Sequence, residues 1–330
     1  MRAILLNPGP VSLSEGVRKA AVKVDLCHRE PEFFKLQQRL RERLLEVYQC
    51  DAEEWAAVLL GGSGTTALEA MLSSMLPREA RLLVIENGVY GERISRIAEI
   101  HGISMEAVRH EWMDAIDFER VEAALAAGTF THVAAVQHET TTGRLNDISR
   151  LAGLCERYEA DLLLDAVSSF GAEAIPFESP ALAACAVTAN KCLHGIPGLC
   201  FVVGRRSALS HSAEPPRSLY MHLPLWLEKQ DQDSTPFTPS VTGMLALSKA
   251  LQELKKQGGW EARHARYSHL AGQVTRALSK YGVEAMLEPG ASSCALNAYR
   301  IPGGMSYDQI HDHLKQWGFV IYAGPVSYTH

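Results

Sequence analysis

The chain has 330 residues, 47% of them hydrophobic and 21% charged, with a formal net charge of -6. This suits a folded protein with one large and one smaller domain, and excludes general disorder and a basic field for nucleic acid. No run of about 18 apolar residues occurs, so no membrane-spanning helix is expected, and the apolar start at residues 3–6 stops at Pro8, too short for a secretory signal.

The pattern then yields elements in chain order. Residues 32–48 place Phe33, Leu36, Leu40, Leu44 and Val47 at helical spacing with charges between them. A short apolar strand at 56–60 runs into Gly61-Gly62-Ser63-Gly64-Thr65 and a helix. A strand at 81–85 is followed by Asn87-Gly88 and a helix over 90–101. A strand at 132–137 ends in His138-Glu139-Thr140-Thr141-Thr142-Gly143, and a helix covers 149–158. The run Asp161 to Asp165 is continuously apolar between its carboxylates, the mark of a strand buried on both faces. Strands at 184–189 and 199–203 close the series. Alternation at this pace predicts a mostly parallel sheet covered by helices. A Pro-rich connection over 214–239 reads as an excursion without a sheet element. Helices follow at 241–257 and 260–280, and strands near 294–300 and 319–322 suggest a smaller α+β domain. The expected division is an N-terminal arm (1–12), a large domain (13–257) and a small C-terminal domain (258–330).

Seven scattered cysteines, odd in number and without a C-x-x-C pair, read as reduced thiols of a cytoplasmic protein. Neither a disulfide framework nor a metal site is expected.

Ligands of an open α/β sheet bind at the carboxyl ends of its strands. The first such end carries Gly62-Ser63-Gly64-Thr65 opening a helix, where free N–H groups and the helix dipole favour a phosphate; a capped helix after a glycine turn is the plainer reading. The turn lacks both the G-x-G-x-x-G of dinucleotide enzymes and the G-K-[ST] of a P-loop. Asp165 ends the most apolar strand, where a carboxylate is costly unless it meets a cation or caps the next turn. Lys191 is the only Lys or Arg between Arg157 and Arg205. A lysine alone in apolar surroundings has a depressed pKa and becomes a usable nucleophile. His138 and Glu139 offer donors or acceptors, or simply a polar turn. The cluster His28-Arg29-Glu30 reads as a surface or interface group, and Cys192 as packing.

Taken together, the motifs resemble the class V aminotransferases, fold-type I pyridoxal-phosphate enzymes. The likeness rests on NPGP (7–10), GSGT (62–65), NGVYGER (87–93), ETTTG (139–143) with DAVSSFG (165–171), and ANKC (189–192), and runs from LLNPGPV (5–11) to FVIYAG (319–324). It implies pyridoxal 5'-phosphate on Lys191 as a Schiff base, with Lys191 then shuttling the proton. It implies Asp165 on the pyridine nitrogen, Tyr90 stacked on the ring, Thr140 near the phenolic oxygen, and Ser63, Gly64, Thr65 and Asn190 around the phosphate. Thr238 would reach the phosphate of a second subunit in a homodimer with the site at its interface. Pro8 and Gly9 would line the substrate. The partners implied are a small-molecule amino donor and a 2-oxo acid acceptor.

Within the family, LLNPGPV, DLCHREPEF (25–33) and ETTTG are most similar to the branch that moves the amino group of 2-aminoethylphosphonate to pyruvate. Alanine– or serine–glyoxylate transfer shares every cofactor residue and stays open. A desulfurase would need a mobile cysteine, and Cys294 sits in an expected strand. Relatives carry an arginine for the acidic end of the substrate beyond the last strand, and no match follows Arg300. The expectation is therefore an incomplete small domain, which keeps a catalytically impaired relative in view.

Overall fold

The sheet is built by seven strands: β1 (Trp55–Gly61), β2 (Arg81–Glu86), β3 (Ser104–Arg109), β4 (His132–Val136), β5 (Asp161–Asp165), β6 (Leu182–Thr188) and β7 (Leu199–Arg205). They lie in the order β1-β7-β6-β5-β4-β2-β3 in a computed structural model that describes residues 3–211 and 214–324. β7 runs antiparallel to both its neighbours and the other contacts are parallel, so β1, β2, β4, β5 and β6 all end at one edge. The expected mostly parallel, helix-covered sheet is therefore present.

Side chains alternate across the pleat, and both faces are dry. Leu59, Ile85, Ala135, Leu164, Val187 and Phe201 pack on one side under helices that include Pro31–Glu46, Ile148–Arg157 and Val241–Lys256. Val58, Val84, Ala134, Leu163, Ala186 and Val202 pack on the other under Gly64–Met75, Val89–Ile100 and Leu223–Asp231.

The Pro-rich connection carries no strand, as expected, and it also holds a helix, Leu223–Asp231, because Leu223, Trp226 and Leu227 are buried against the sheet. β3 has no counterpart in the reading, since an edge strand exposing Ser104, Glu106 and Arg109 lacks a continuous apolar run. The expected strand near 294–300 is irregular, with a single bridge from Tyr299 to Ala285. Its neighbours' hydrogen bonds go elsewhere: Ser293 N–H donates to the Gly143 carbonyl (2.9 Å), and Ser293 Oγ (2.6 Å) and Cys294 N–H (2.7 Å) donate to buried Glu173. The strand at Phe319–Val320 exists, and it pairs in parallel with Ile4–Leu5 at the other end of the chain. The expectation about residues 325–330 lies outside the described residues. Among the described residues no helix is long and apolar enough to cross a membrane.

Candidate active site

At the end of β1 the chain must turn sharply into the Gly64–Met75 helix. Gly62 does this at φ +150°, and a Cβ there would stand 2.3 Å from Thr66 Oγ1. Ser63 is the N-cap, and its N–H donates to Thr66 Oγ1 (3.2 Å). A Cβ on Gly64 would lie 2.7 Å from Val167 Cγ1, so the helix start is pressed onto the segment after Asp165. This brings a row of backbone donors at a helix N-terminus, the ordinary seat of an anion, against the β5 end.

Asp165 is 4% exposed, and one carboxylate oxygen accepts the Val167 N–H at 2.9 Å. It makes no ion pair within 4 Å among the described residues. Burial pushes its pKa up to about 6, the Val167 N–H opposes that, the Glu139 carboxylate adds to it, and Arg93 and Lys191 pull it down. A buried carboxylate short of a cation at a strand end suits a protonated ring nitrogen.

Lys191 follows β6 through Ala189 and Asn190. Burial lowers its pKa, while Cys192 and Asp165 oppose the shift. The Asn190 side chain accepts from Thr188 Oγ1 at 2.7 Å. Across from the lysine stands the N-terminal arm. A Cβ on Gly9 would lie 2.4 Å from Lys191 Cδ and 2.9 Å from Cε, so only glycine leaves the lysine its path. Pro8 and Gly9 are half-buried, and the neighbouring Asn7 Oδ1 is buried without a hydrogen-bond partner.

Tyr90 opens the Val89–Ile100 helix and is held there by Glu139. That carboxylate is fully buried and accepts the N–H groups of Tyr90 (3.1 Å), Gly91 (3.3 Å) and Thr141 (3.2 Å), and the Thr141 hydroxyl. Burial raises its pKa and these donors oppose the rise. Glu139 thus fixes a helix start, a role different from the open donor or acceptor of the sequence reading. His138 is buried; its Nδ1 bonds the Ser168 carbonyl (3.0 Å), its Nε2 has no partner among the described residues, and burial lowers its pKa to about 4.

The sequence reading missed Arg93, although it lies in the NGVYGER motif one helical turn after Tyr90. Its guanidinium sits 4.6 Å over the Tyr90 ring and donates to Thr65 Oγ1 at 3.3 Å. Thr140 is half-buried beside Glu139. Thr238 is exposed; the preceding Phe237 packs on Tyr220, whose hydroxyl donates to the Gly61 carbonyl (3.2 Å). His28, Arg29 and Glu30 stay outside this group, with Arg29 bonded to the Thr235 carbonyl.

The family model for class V aminotransferases matches residues 17–324. The chain is 33% identical to the 2-aminoethylphosphonate–pyruvate transaminase of Bacillus cytotoxicus over 329 residues, 98% of this chain and 90% of that one. It is 36% identical to the enzyme of the same name from Syntrophobacter fumaroxidans over 98% of this chain and 88% of that one. Among solved structures, an aspartate aminotransferase of subgroup IV from Thermus thermophilus superposes with a TM-score of 0.88 at 27% identity, covering 97% of this chain and 89% of that one.

Proposed function

The chain belongs to the class V aminotransferases, and we propose on that premise that it moves the amino group of 2-aminoethylphosphonate to pyruvate, giving phosphonoacetaldehyde and alanine. The observation that carries the substrate assignment is the near full-length likeness, at 33–36% identity, to enzymes named for that reaction. The chemistry is carried by the convergence of Lys191, Asp165 and the Gly62–Thr65 turn at one sheet edge.

Pyridoxal phosphate, when bound, supplies a carbonyl for the amino group and a pyridinium ring that withdraws electrons from the adjacent carbon. Lys191, whose pKa burial lowers, would hold the cofactor through Nζ and, once displaced by the donor's amine, would accept the proton from the carbon bearing the donor's amino group. The Asp165 carboxylate keeps the ring nitrogen protonated, a pairing that relieves its own buried charge. Ser63, Gly64 and Thr65 hold the phosphate with Asn190 beside it. Tyr90 would cover the ring and Thr140 would serve its phenolic oxygen. A homodimer in which Thr238 serves the second subunit's phosphate fits its exposure here. Pro8 and Gly9 border the donor, and residues 13–257 and 258–330 form the large and small domains of a cytoplasmic enzyme.

The test is spectroscopic. Purified protein given pyridoxal phosphate should develop a visible absorption band that Lys191→Ala lacks. Adding 2-aminoethylphosphonate should bleach it, and alanine should act through the reverse reaction. A band that responds to serine or alanine with glyoxylate, and ignores the phosphonate, would move the assignment to glyoxylate transfer.

A further inference from the structure

The 21-residue helix Gly259–Ser279 lies over the turn that carries Lys191, and the one buried side chain it contributes is an arginine. Arg263 is 5% exposed. Burying a guanidinium is costly unless its donors are used, and a helix with an ordinary packing task would bury leucine or alanine there. Arg263 makes no ion pair within 4 Å among the described residues. Its Nη1 donates to the carbonyl of Cys192, the residue directly after Lys191, and its Nη2 donates to Gln257 Oε1 at 3.1 Å. One turn along the same helix, the Tyr267 hydroxyl meets His194 Nε2 at 2.5 Å, and the two rings stack at 6.3 Å. His194 stands at φ +63°, a left-handed conformation that a non-glycine residue keeps only when its surroundings hold it. Inside the turn, His194 N–H donates to the Lys191 carbonyl (2.9 Å) and Gly195 N–H to the Ala189 carbonyl (2.7 Å). The Cys192 thiol reaches the Ser168 carbonyl at 3.4 Å. The lysine-bearing turn is therefore gripped on one side by the segment after Asp165 and on the other by Arg263 and Tyr267.

We propose that Arg263 is a positioning residue for Lys191: by holding the Cys192 carbonyl it fixes the turn one peptide beyond the lysine, so the 259–279 helix sets where Nζ stands. The inference rests on the reading of Lys191 as the cofactor lysine. It adds that the orientation of the amine depends on a helix that does not itself touch the reacting atoms. A buried cation is suited to this task because a carbonyl bonded to a charged donor is held more firmly than by a neutral one.

The test compares wild type, Arg263→Ala, Arg263→Lys and Tyr267→Phe. In the cofactor-free protein, amide hydrogen exchange at His194 and Gly195 should accelerate at least about tenfold in Arg263→Ala, with exchange in β4 and β5 unchanged. In the loaded enzyme, kcat should fall about tenfold with KM for the amino donor within about twofold, since the lysine is misplaced while the donor pocket is intact. The pH midpoint of the bound cofactor's absorbance should move by about half a unit or more. Arg263→Lys should recover part of each change. A lowered melting temperature with unaltered exchange, midpoint and kcat would show Arg263 to be a packing residue and overturn the proposal. Should Arg263→Ala fail to fold, Tyr267→Phe decides, since it cuts the second tether without unpairing a buried charge. Faster exchange at His194 with a midpoint shift supports the proposal, and wild-type values overturn it. A wild-type protein without a Lys191-dependent band would instead remove the reading of Lys191 on which the inference stands.

Discussion

At Asp165 the carboxylate ends an apolar strand with no ion pair among the described residues, and burial holds its pKa at about 6 against an ordinary 3.8. The native state therefore binds more protons than the unfolded chain between about pH 4 and 6, so this group's contribution to stability falls as pH rises through that window and stays low above it. In cofactor-free protein, Asp165→Asn should raise stability at pH 7 by up to about 3 kcal/mol, a gain that vanishes below about pH 4; urea titrations at the two pH values measure it. A variant less stable than wild type at pH 7 would mean the carboxylate already has a cation. Loaded with cofactor, the same variant should lose about 100-fold or more in turnover, read in the phosphonate half-reaction. Gly9 gives a second prediction. An alanine there would drive its Cβ into the Lys191 stem at a strained φ of +153°, costing about 1–3 kcal/mol and slowing growth of the visible band at least about tenfold. Unchanged band kinetics would show that the arm does not border the lysine in solution. Asp165 and Lys191 were legible because each is an isolated charge in an apolar stretch. Arg263 was not, because its helix carries many charges and nothing in their spacing marks the one that is buried.

Among the elements, the Val89–Ile100 helix depends on a residue 49 positions after Tyr90. Glu139 supplies the acceptors that the Tyr90 and Gly91 N–H groups lack within the helix, and no side chain of the N-cap, Gly88, can do so. Glu139→Ala should therefore cost about 2–4 kcal/mol and loosen Tyr90, while Glu139→Gln, which keeps an acceptor oxygen, should cost about 1 kcal/mol. Chemical denaturation separates the two, and equal losses would assign the effect to charge instead of hydrogen bonding. The strands around the site were legible because a strand buried on both faces writes itself as a continuous apolar run. β3 at the edge, the helix inside the Pro-rich connection and the irregular 292–300 segment were not. Each is decided by a partner distant in sequence: β2 for the edge strand, the sheet face for Trp226, and Glu173 for Ser293 and Cys294. The resemblance located the motifs but left open which residues hold them in place.

For the molecule as a whole, pH acts on buried histidines and buried carboxylates in opposite senses. Burial lowers both His138 and His194 to about 4 from 6.5. Their native forms bind fewer protons than the unfolded chain between about pH 6.5 and 4, so the stability tied to them is present above 6.5 and lost as pH falls through that range. Asp165 works in the opposite sense over the lower part of the window, as does Glu139, whose pKa burial raises, while His132, lowered by burial, acts with the other two histidines. In the cofactor-free protein His138→Asn should make the change in stability between pH 6.5 and 4 less unfavourable to the fold as pH falls; thermal melts from pH 7.5 to 4.5 test it, and an unchanged slope would mean His138 is protonated in the folded protein.

The parallel pairing of Ile4–Leu5 with Phe319–Val320 sets a timetable as well as a shape. Residues 7–9, which flank Lys191, hang from a strand whose partner lies 315 positions away, so on the ribosome that partner is made long after the arm. The sheet and the lysine turn can assemble earlier, domain portion by domain portion, but the wall that Gly9 forms cannot. A nascent chain thus passes through a stage in which the turn carrying Lys191 is in place and still open on the arm's side.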